Sequence, residues 1–488
     1  MSSRIALLLL SCLLPWEAVA SNQAKLVAPT RDFSTAEQSE AFPGGTTTTR
    51  RAQDRALFSH PAANLDDGTR LEFQLGKALF QKTWVSAPAS TGASDGLGPL
   101  YNARSCAQCH IRNGRGHPPE HEGDSATSIL LRIDIPAQNH EQQQRLARGE
   151  VSNIAEPTYG RQLQGFAVGG LPAEHHLRVS YSPLNVTLAD GSTVELRNPG
   201  YVPTDLGYGP LHPQTRLSPR IAPPMIGLGL VQAIDVQDLM AGADPNDADG
   251  DGISGRANYV WSVSRQAIAV GRFGHKAGQA SLDEQVQDAF FHDIGLSVPA
   301  YPAGSGECTR AQTGCLDAAN GNSPRHQGLE VGEETVRLTG LYTAGLAVPM
   351  RKRAGDPAVL AGKRLFYETG CVKCHAPKFV TSSDAAPVFA NELIWPYSDF
   401  LLHDMGEGLA DHRPEGQANG REWRTPPLWG LGQTVTVGNR ESYLHDGRAR
   451  SVLEAVLWHG GEAQSQRDAV IAMDPTDRTS LLTFLASL

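Results

Sequence analysis

Cys106-Ala107-Gln108-Cys109-His110 and Cys371-Val372-Lys373-Cys374-His375 share the pattern Cys-x-x-Cys-His. Two thiols one helical turn apart can form thioethers with the vinyl groups of a porphyrin, and the adjacent imidazole can then reach the iron. A single match can be a redox or disulfide pair that happens to precede a histidine. Two matches in one chain imply two covalently bound c-type haems, with His110 and His375 as iron ligands. Zinc shared by both cysteine pairs would leave the two histidines unexplained. Cys308 and Cys315 lie close together between Gly-rich segments, where an oxidising compartment favours a local disulfide. The seventh cysteine, Cys12, falls in the leader.

That leader points to export. Residues 1–20 combine Arg4, an apolar run over 5–14 and Ala18-Val19-Ala20 before Ser21, the pattern of a secretory signal, so the periplasm of a Gram-negative cell is the expected location. The rival reading is a lipoprotein cut before Cys12, and only then would the chain attach to a membrane. The net charge of −10, from 42 Lys+Arg against 52 Asp+Glu, excludes the basic footprint of a nucleic-acid binder. A hydrophobic share of 40% excludes wholesale disorder. Fifty Gly and 32 Pro in 488 residues argue for short helices joined by many loops.

The elements that must position the two motifs recur. Gly76-Lys77-Ala78-Leu79-Phe80 precedes the first motif and Gly362-Lys363-Arg364-Leu365-Phe366 the second, each with apolar residues spaced for a helix face against a haem. Pro223-Pro224 with Gly227 and Gly229 echoes Pro426-Pro427 with Gly430 and Gly432. Phe273-Gly274-His275, Ser281, Glu284 and Val286 match Tyr443-Leu444-His445, Ser451, Glu454 and Val456 at a constant offset of 170. The shared order implies an internal duplication. The expected fold is mainly α: two cytochrome c-like haem domains, with β-rich and loop insertions in the first. The expected boundaries are an N-terminal extension over 21–54, an N-terminal haem domain over 55–340 and a C-terminal one over 341–488.

Two insertions distinguish the first half. Residues 126–215 carry strand-like pieces over 128–135, 177–181 and 186–196 between Gly/Pro turns, a β-rich excursion from the first haem domain. In 244–258, Asp247, Asp249 and Asp251 alternate along a Gly-bent loop, which suits a hard cation such as Ca²⁺. Twelve positions from Asp247 stands Asn258 where an EF-hand has Glu, so an ordinary EF-hand is disfavoured, and an acidic surface turn is the plainer alternative.

With these motifs in view, the sequence resembles the di-haem oxidoreductases described as peroxidases or "thiol oxidoreductases", relatives of bacterial di-haem cytochrome c peroxidases, the methylamine dehydrogenase maturation enzyme and rubber oxygenases. The likeness covers roughly residues 55–488 and is carried by Gly96-Leu97-Gly98-Pro99-Leu100-Tyr101-Asn102-Ala103, residues 247–258, Arg424-Thr425-Pro426-Pro427-Leu428-Trp429 and Tyr443-Leu444-His445-Asp446-Gly447-Arg448. It implies that one haem relays electrons while the other meets the oxidant, which asks for a sixth ligand on one iron and an open position on the other. His459 stands where the peroxidase relatives have Met and the maturation enzyme Tyr, and is the expected C-terminal ligand; His403, Met405 and His445 are its rivals, with His445 read as lying near a propionate. His/His ligation would lower the potential relative to His/Met. The duplication puts Ala289 opposite the first iron.

Two departures from the family's pattern bear on that first site. His275 stands where the family commonly has a Trp relay, and Gln232 where it commonly has Glu, which could carry a proton that Gln cannot. His275, Gln232 and Gln285 are the catalytic candidates, with Asp293 a lesser one. Arg220 and Arg424 precede their Pro-Pro elements and are candidates to pair with haem propionates. Trp84, Trp423, Trp429 and Trp458 suit packing on a porphyrin or electron hopping. The resulting expectation is an exported di-haem c-type oxidoreductase, peroxidase-like, whose partners are a small electron-donor protein or cytochrome and peroxide or another small oxidant. A non-catalytic electron-transfer cytochrome and an oxygenase acting on an organic substrate are the alternatives.

Overall fold

The computed structural model describes residues 26–92, 94–121, 123–124 and 128–488. The leader expected over 1–20, with Cys12, lies outside them. Among the described residues no helix is long and apolar enough to cross a membrane.

Each half is organised by two helices that touch at a glycine. Helix Asp67–Gln81 packs on Glu333–Ala344, and Pro357–Glu368 packs on Pro475–Leu485. A Cβ on Gly76 would stand 2.1 Å from the Leu338 carbonyl oxygen, and one on Gly362 only 1.9 Å from that of Ser480. Backbone meets backbone at both crossings, which only glycine permits. One turn later on the same face, Phe80 and Phe366 are buried, so the repeated Gly-Lys-x-Leu-Phe pattern is a helix crossing followed by an aromatic ring turned inward. Gly362→Ala is expected to force this pair apart and to cost about 1–3 kcal/mol, the usual range for overpacking a filled interior. Thermal unfolding of the haem-loaded protein measures it, and an unchanged melting temperature would show that the crossing yields freely.

The landmarks spaced by 170 residues also take matching local structure. Ser281 and Ser451 accept the Glu284 and Glu454 amides as N-caps of helices Leu282–Ile294 and Val452–Leu457. Just before them, Phe273 bridges to Gln279 and Tyr443 to Ala449, with Gly274 and Leu444 both left-handed at φ 81° and 70°.

The expectation of a mainly α fold made of two cytochrome c-like domains is overturned. The chain is about 30% helix and 18% strand, and its described strands form seven small sheets. The reason is visible in the connections: between the crossing helices the chain runs as short extended segments around a central cavity, where Gly and Pro interrupt helix formation and two- or three-residue strands pair across loops. Strand Ile129–Asp134 lies between Gln162–Leu163 and Arg216–Ile221, antiparallel to both. The longest strands, His176–Thr187 and Thr193–Thr204, pair over their full length, and the expected strand over 186–196 crosses the turn between them. A two-stranded ribbon consists only of edges, which accommodates Pro183, Pro199 and Pro203 within it.

Segments of the first half hold the second. Val186, Leu188 and Leu196 of the ribbon share an apolar cluster with Leu409, Trp423, Tyr443 and Trp458. Arg197 donates to the Gly447 carbonyl at 3.0 Å, and Asp190 pairs with Arg478. The N-terminal segment does the same: fully buried Glu40 meets Arg351 and Lys363, each at 2.9 Å, and receives the Tyr397 hydroxyl at 3.2 Å. Ions removed from water require such complete pairing.

Candidate functional site

Both Cys-x-x-Cys-His motifs open into one cavity of about 400 Å³, lined by Cys106, Cys109 and His110 from one side and Cys371, Cys374 and His375 from the other. Helix Cys106–Cys109 is capped by Ser105, and Gly370, left-handed at φ 83°, starts the 3₁₀ turn Cys371–Lys373. None of these four cysteines is in a disulfide, whereas Cys308 and Cys315 are bonded to each other. The His110 Nδ1–H donates to the Pro223 carbonyl at 2.9 Å and the His375 Nδ1–H to that of Tyr397 at 2.8 Å. This tautomer leaves each Nε2 lone pair available to a metal. Burial pushes both imidazoles down to about 4, so both are neutral at pH 7. Phe80 and Phe366 pack beside them with ring centroids 6.1 and 6.2 Å away.

The remaining walls break the repeat. His459 lines the cavity just beyond helix Val452–Leu457, its Nδ1–H donated to the Ala455 carbonyl at 2.7 Å, so that its Nε2 is also uncommitted. The matching position on helix Leu282–Ile294 is Ala289, which also lines the cavity and offers a methyl group. His403 is engaged elsewhere: its Nε2 lies 2.8 Å from Asp399 and its Nδ1 2.7 Å from Glu462. Burial alone would lower it, but hydrogen bonds to Asp399, Cys374 and Glu462 raise it well above the usual histidine range. Met405 lines the cavity as well.

Between the halves, the Trp423 ring stacks on His445 at 3.8 Å and 10°, and meets His275 edge-on at 6.4 Å. His275 donates its Nε2–H to the Ile221 carbonyl at 2.9 Å. A reciprocal pair of backbone bonds frames this cluster: Ile221 N–H to His445 O at 2.8 Å and Arg424 N–H to His275 O at 2.9 Å. The residue matching Arg424 is therefore Ile221, and the one matching Trp423 is Arg220. The two arginines accordingly differ. Arg220 is held by Glu415 at 2.9 Å and Asp411 at 3.8 Å. Arg424 lines the cavity with only the Gly274 and Thr425 carbonyls as partners, at 3.0 and 3.3 Å, and burial lowers it to about 10.

Arg115 and Arg467, which the sequence did not single out, also line the cavity, and among the described residues neither has a carboxylate in ion-pair reach and the buried Nε of Arg467 has no hydrogen-bond partner. No local pattern marks either one. Gln285 and Asp293 line the cavity. Gln232 does not: its Oε1 accepts the Leu282 amide at 2.9 Å, at the start of the helix that carries Ala289. In the acidic loop, carboxylate oxygens of Asp244, Asp247 and Asp249 lie within 4.8 Å of one another. Asp251 turns away to Lys373, inside the second cysteine motif, at 2.8 Å.

A family model described as "Di-haem oxidoreductase, putative peroxidase" matches residues 36–488. The chain belongs to this family. A solved structure of Kuenenia stuttgartiensis hydrazine synthase, pressurised with 20 bar xenon, aligns with 94% of this chain and all of its own length, at 12% identity and a TM-score of 0.36. No curated protein matches.

Two haems are what a di-haem oxidoreductase must hold, and the residues present fit them. Four cysteines outside any disulfide and two Nδ1-protonated imidazoles border one largely apolar space, and half-buried Arg467, whose buried Nε has no hydrogen-bond partner among the described residues, lines the same space. A buried donor of that kind requires an acceptor, which a haem carboxylate provides.

Proposed function

We propose that this chain is an exported, peroxidase-like c-type di-haem oxidoreductase that works in the periplasm. Cys106 and Cys109 hold one haem and Cys371 and Cys374 the other, with His110 and His375 as the iron ligands on one side. Arg115, Arg424 and Arg467 balance the propionates. Two haems held in this way would supply one-electron chemistry between a small donor protein and peroxide or another small oxidant, with His459 placed to ligate the C-terminal one and Ala289 leaving space beside the N-terminal one.

The observation that carries this reading is the asymmetry within a repeated frame: His459 in one half, Ala289 at the equivalent place in the other. An imidazole with a free Nε2 suits a closed, six-coordinate relay site. A methyl group leaves room for a small ligand. The protein's other contribution is the contact between the halves, where buried Trp423 stacks on buried His445 and meets His275 edge-on.

Optical and electron paramagnetic resonance spectra of the haem-loaded protein, oxidised and half-reduced and then treated with peroxide, test the reading. One low-spin and one high-spin or readily exchanged haem, with spectral change on adding peroxide, is the expected result. Two haems that stay low-spin and inert in every state would replace it with a non-catalytic electron-transfer cytochrome. Oxygen consumption with an organic substrate in place of peroxide turnover would replace it with an oxygenase.

A further inference from the structure

We infer that Thr339 and Thr343, on helix Glu333–Ala344, set the redox potential of the haem held by Cys106 and Cys109, their hydroxyls favouring its oxidised form. The inference rests on the two-haem reading above. The two helix crossings bring equivalent residues to the cavity: Gly76 meets the Leu338 carbonyl and Gly362 that of Ser480. Thr339, Tyr342 and Thr343 in one half therefore stand where Leu481, Phe484 and Leu485 stand in the other. Thr339, Thr343, Leu481 and Leu485 all line the cavity. Each wall belongs to its own cysteine motif. The Tyr342 ring lies 5.2 Å from Phe80, which packs beside His110, and Cys106 packs against both rings. The Phe484 ring lies 5.3 Å from Phe366, which packs beside His375, in one cluster with Leu481, Leu485 and Cys371. Three hydroxyl-bearing side chains in one half thus replace three hydrocarbon ones in the other.

Two of the three hydroxyls are committed within the protein. Tyr342 donates to Asn113 Oδ1 at 2.9 Å, and the Asn113 amide donates to Ser59 Oγ at 2.9 Å. Thr343 donates to the Gly340 carbonyl of its own helix at 2.9 Å, which leaves lone pairs on its oxygen. Thr339 differs: it is only 1% exposed, and its hydroxyl has no hydrogen-bond partner among the described residues. A buried hydroxyl without a partner lowers stability, and a leucine fills the equivalent place in the other half, so packing does not require it. A hydroxyl tied to no acceptor is free to turn, and its lone pairs can meet positive charge that appears in the cavity. The oxidised iron–porphyrin core carries one more positive charge than the reduced one. A rotatable dipole beside it stabilises the oxidised form and lowers the potential, whereas a leucine wall gives no such response. The effect falls on one haem alone, and makes the two halves unequal beyond the difference between His459 and Ala289.

The test is a potentiometric titration of the full-length protein loaded with both haems, followed by electron paramagnetic resonance, in which haems of different ligation give separate signals. Thr339→Val removes the hydroxyl and keeps the shape. At a fixed applied potential it should raise the reduced-to-oxidised ratio of the N-terminal haem about fivefold, the scale of one net hydrogen bond, and leave the C-terminal haem where it was. Thr339→Ser, which keeps the hydroxyl, should titrate like the parent. Because the hydroxyl removed has no partner, Thr339→Val should melt no lower than the parent. Leu481→Thr, the reciprocal change, should lower the reduced-to-oxidised ratio of the C-terminal haem only. An N-terminal midpoint that does not move in Thr339→Val, or equal shifts of both haems, would overturn the inference while leaving the two-haem reading intact. A parent that carries fewer than two covalent haems would overturn that reading, and the inference with it.

Discussion

Ala289→His, assembled with both haems, is expected to close the N-terminal site and bring peroxide reduction down a hundredfold or more, the scale of losing a catalytic group. The substitution copies onto one half what His459 provides in the other, at a position framed by the same Ser cap and the same 170-residue spacing. Both haems of the variant should be low-spin when oxidised. The reciprocal change, His459→Ala, should turn the C-terminal haem high-spin, and His459→Met should keep it low-spin while raising its potential, because thioether ligation favours the reduced state. The three variants separate ligation from folding, since a merely structural role for His459 would not distinguish Ala from Met by spin state. Peroxide turnover by Ala289→His at the parental rate, with a high-spin haem still present, would show that the methyl group does not face the reacting iron.

Replacing either cysteine pair is expected to have the largest effect on the molecule as a whole. Cys371→Ser with Cys374→Ser should yield a chain that carries one covalent haem instead of two by intact mass and by haem staining after denaturation, and Cys106→Ser with Cys109→Ser should do the same. The stability cost follows from the shared cavity of about 400 Å³. At roughly 24 cal/mol per Å³ of dry void, the roughly half of that space left empty by one missing haem would cost on the order of 5 kcal/mol, a large part of the about 5–15 kcal/mol that stabilises a typical domain. The doubly substituted chains should therefore accumulate poorly and unfold at lower temperature. Two haems still covalently bound after either double substitution would sink the assignment of the attachment sites.

Much of the site was legible in the chain. The cysteine motifs are strictly local, and their spacing carries its chemistry with it. The repeat was legible through residues with strong local demands: Gly76 and Gly362 where backbones touch, Ser281 and Ser451 where helices begin. The mainly α expectation failed because two-residue strands, such as Leu100–Tyr101 with Phe166–Ala167, leave no periodic trace and exist only through their partners. Arg220 stands three residues before its Pro-Pro pair and Arg424 two before its own, so the repeat laid over itself already matches Arg424 with Ile221, as the backbone bonds across the interface do. Of the two arginines, Arg424 is the one that faces the cavity without a carboxylate partner among the described residues. Gln232 stands beside the expected catalytic elements, yet its amide holds the start of a helix.

The sequence by itself determined the two Cys-x-x-Cys-His motifs, the shared order of the repeated landmarks and the difference between His459 and Ala289, because each rests on residue identity at short spacing or on one repeat laid over another. Only the tertiary structure decided that both motifs share a single cavity, that Trp423 lies between His275 and His445, that the N-terminal segment and the long ribbon hold the second half, and that Thr339 and Leu481 stand at equivalent places in the cavity wall. Those relations join residues from distant stretches of chain. They are set by burial and by the need of each enclosed charge and polar group for a partner, a demand that no local pattern records.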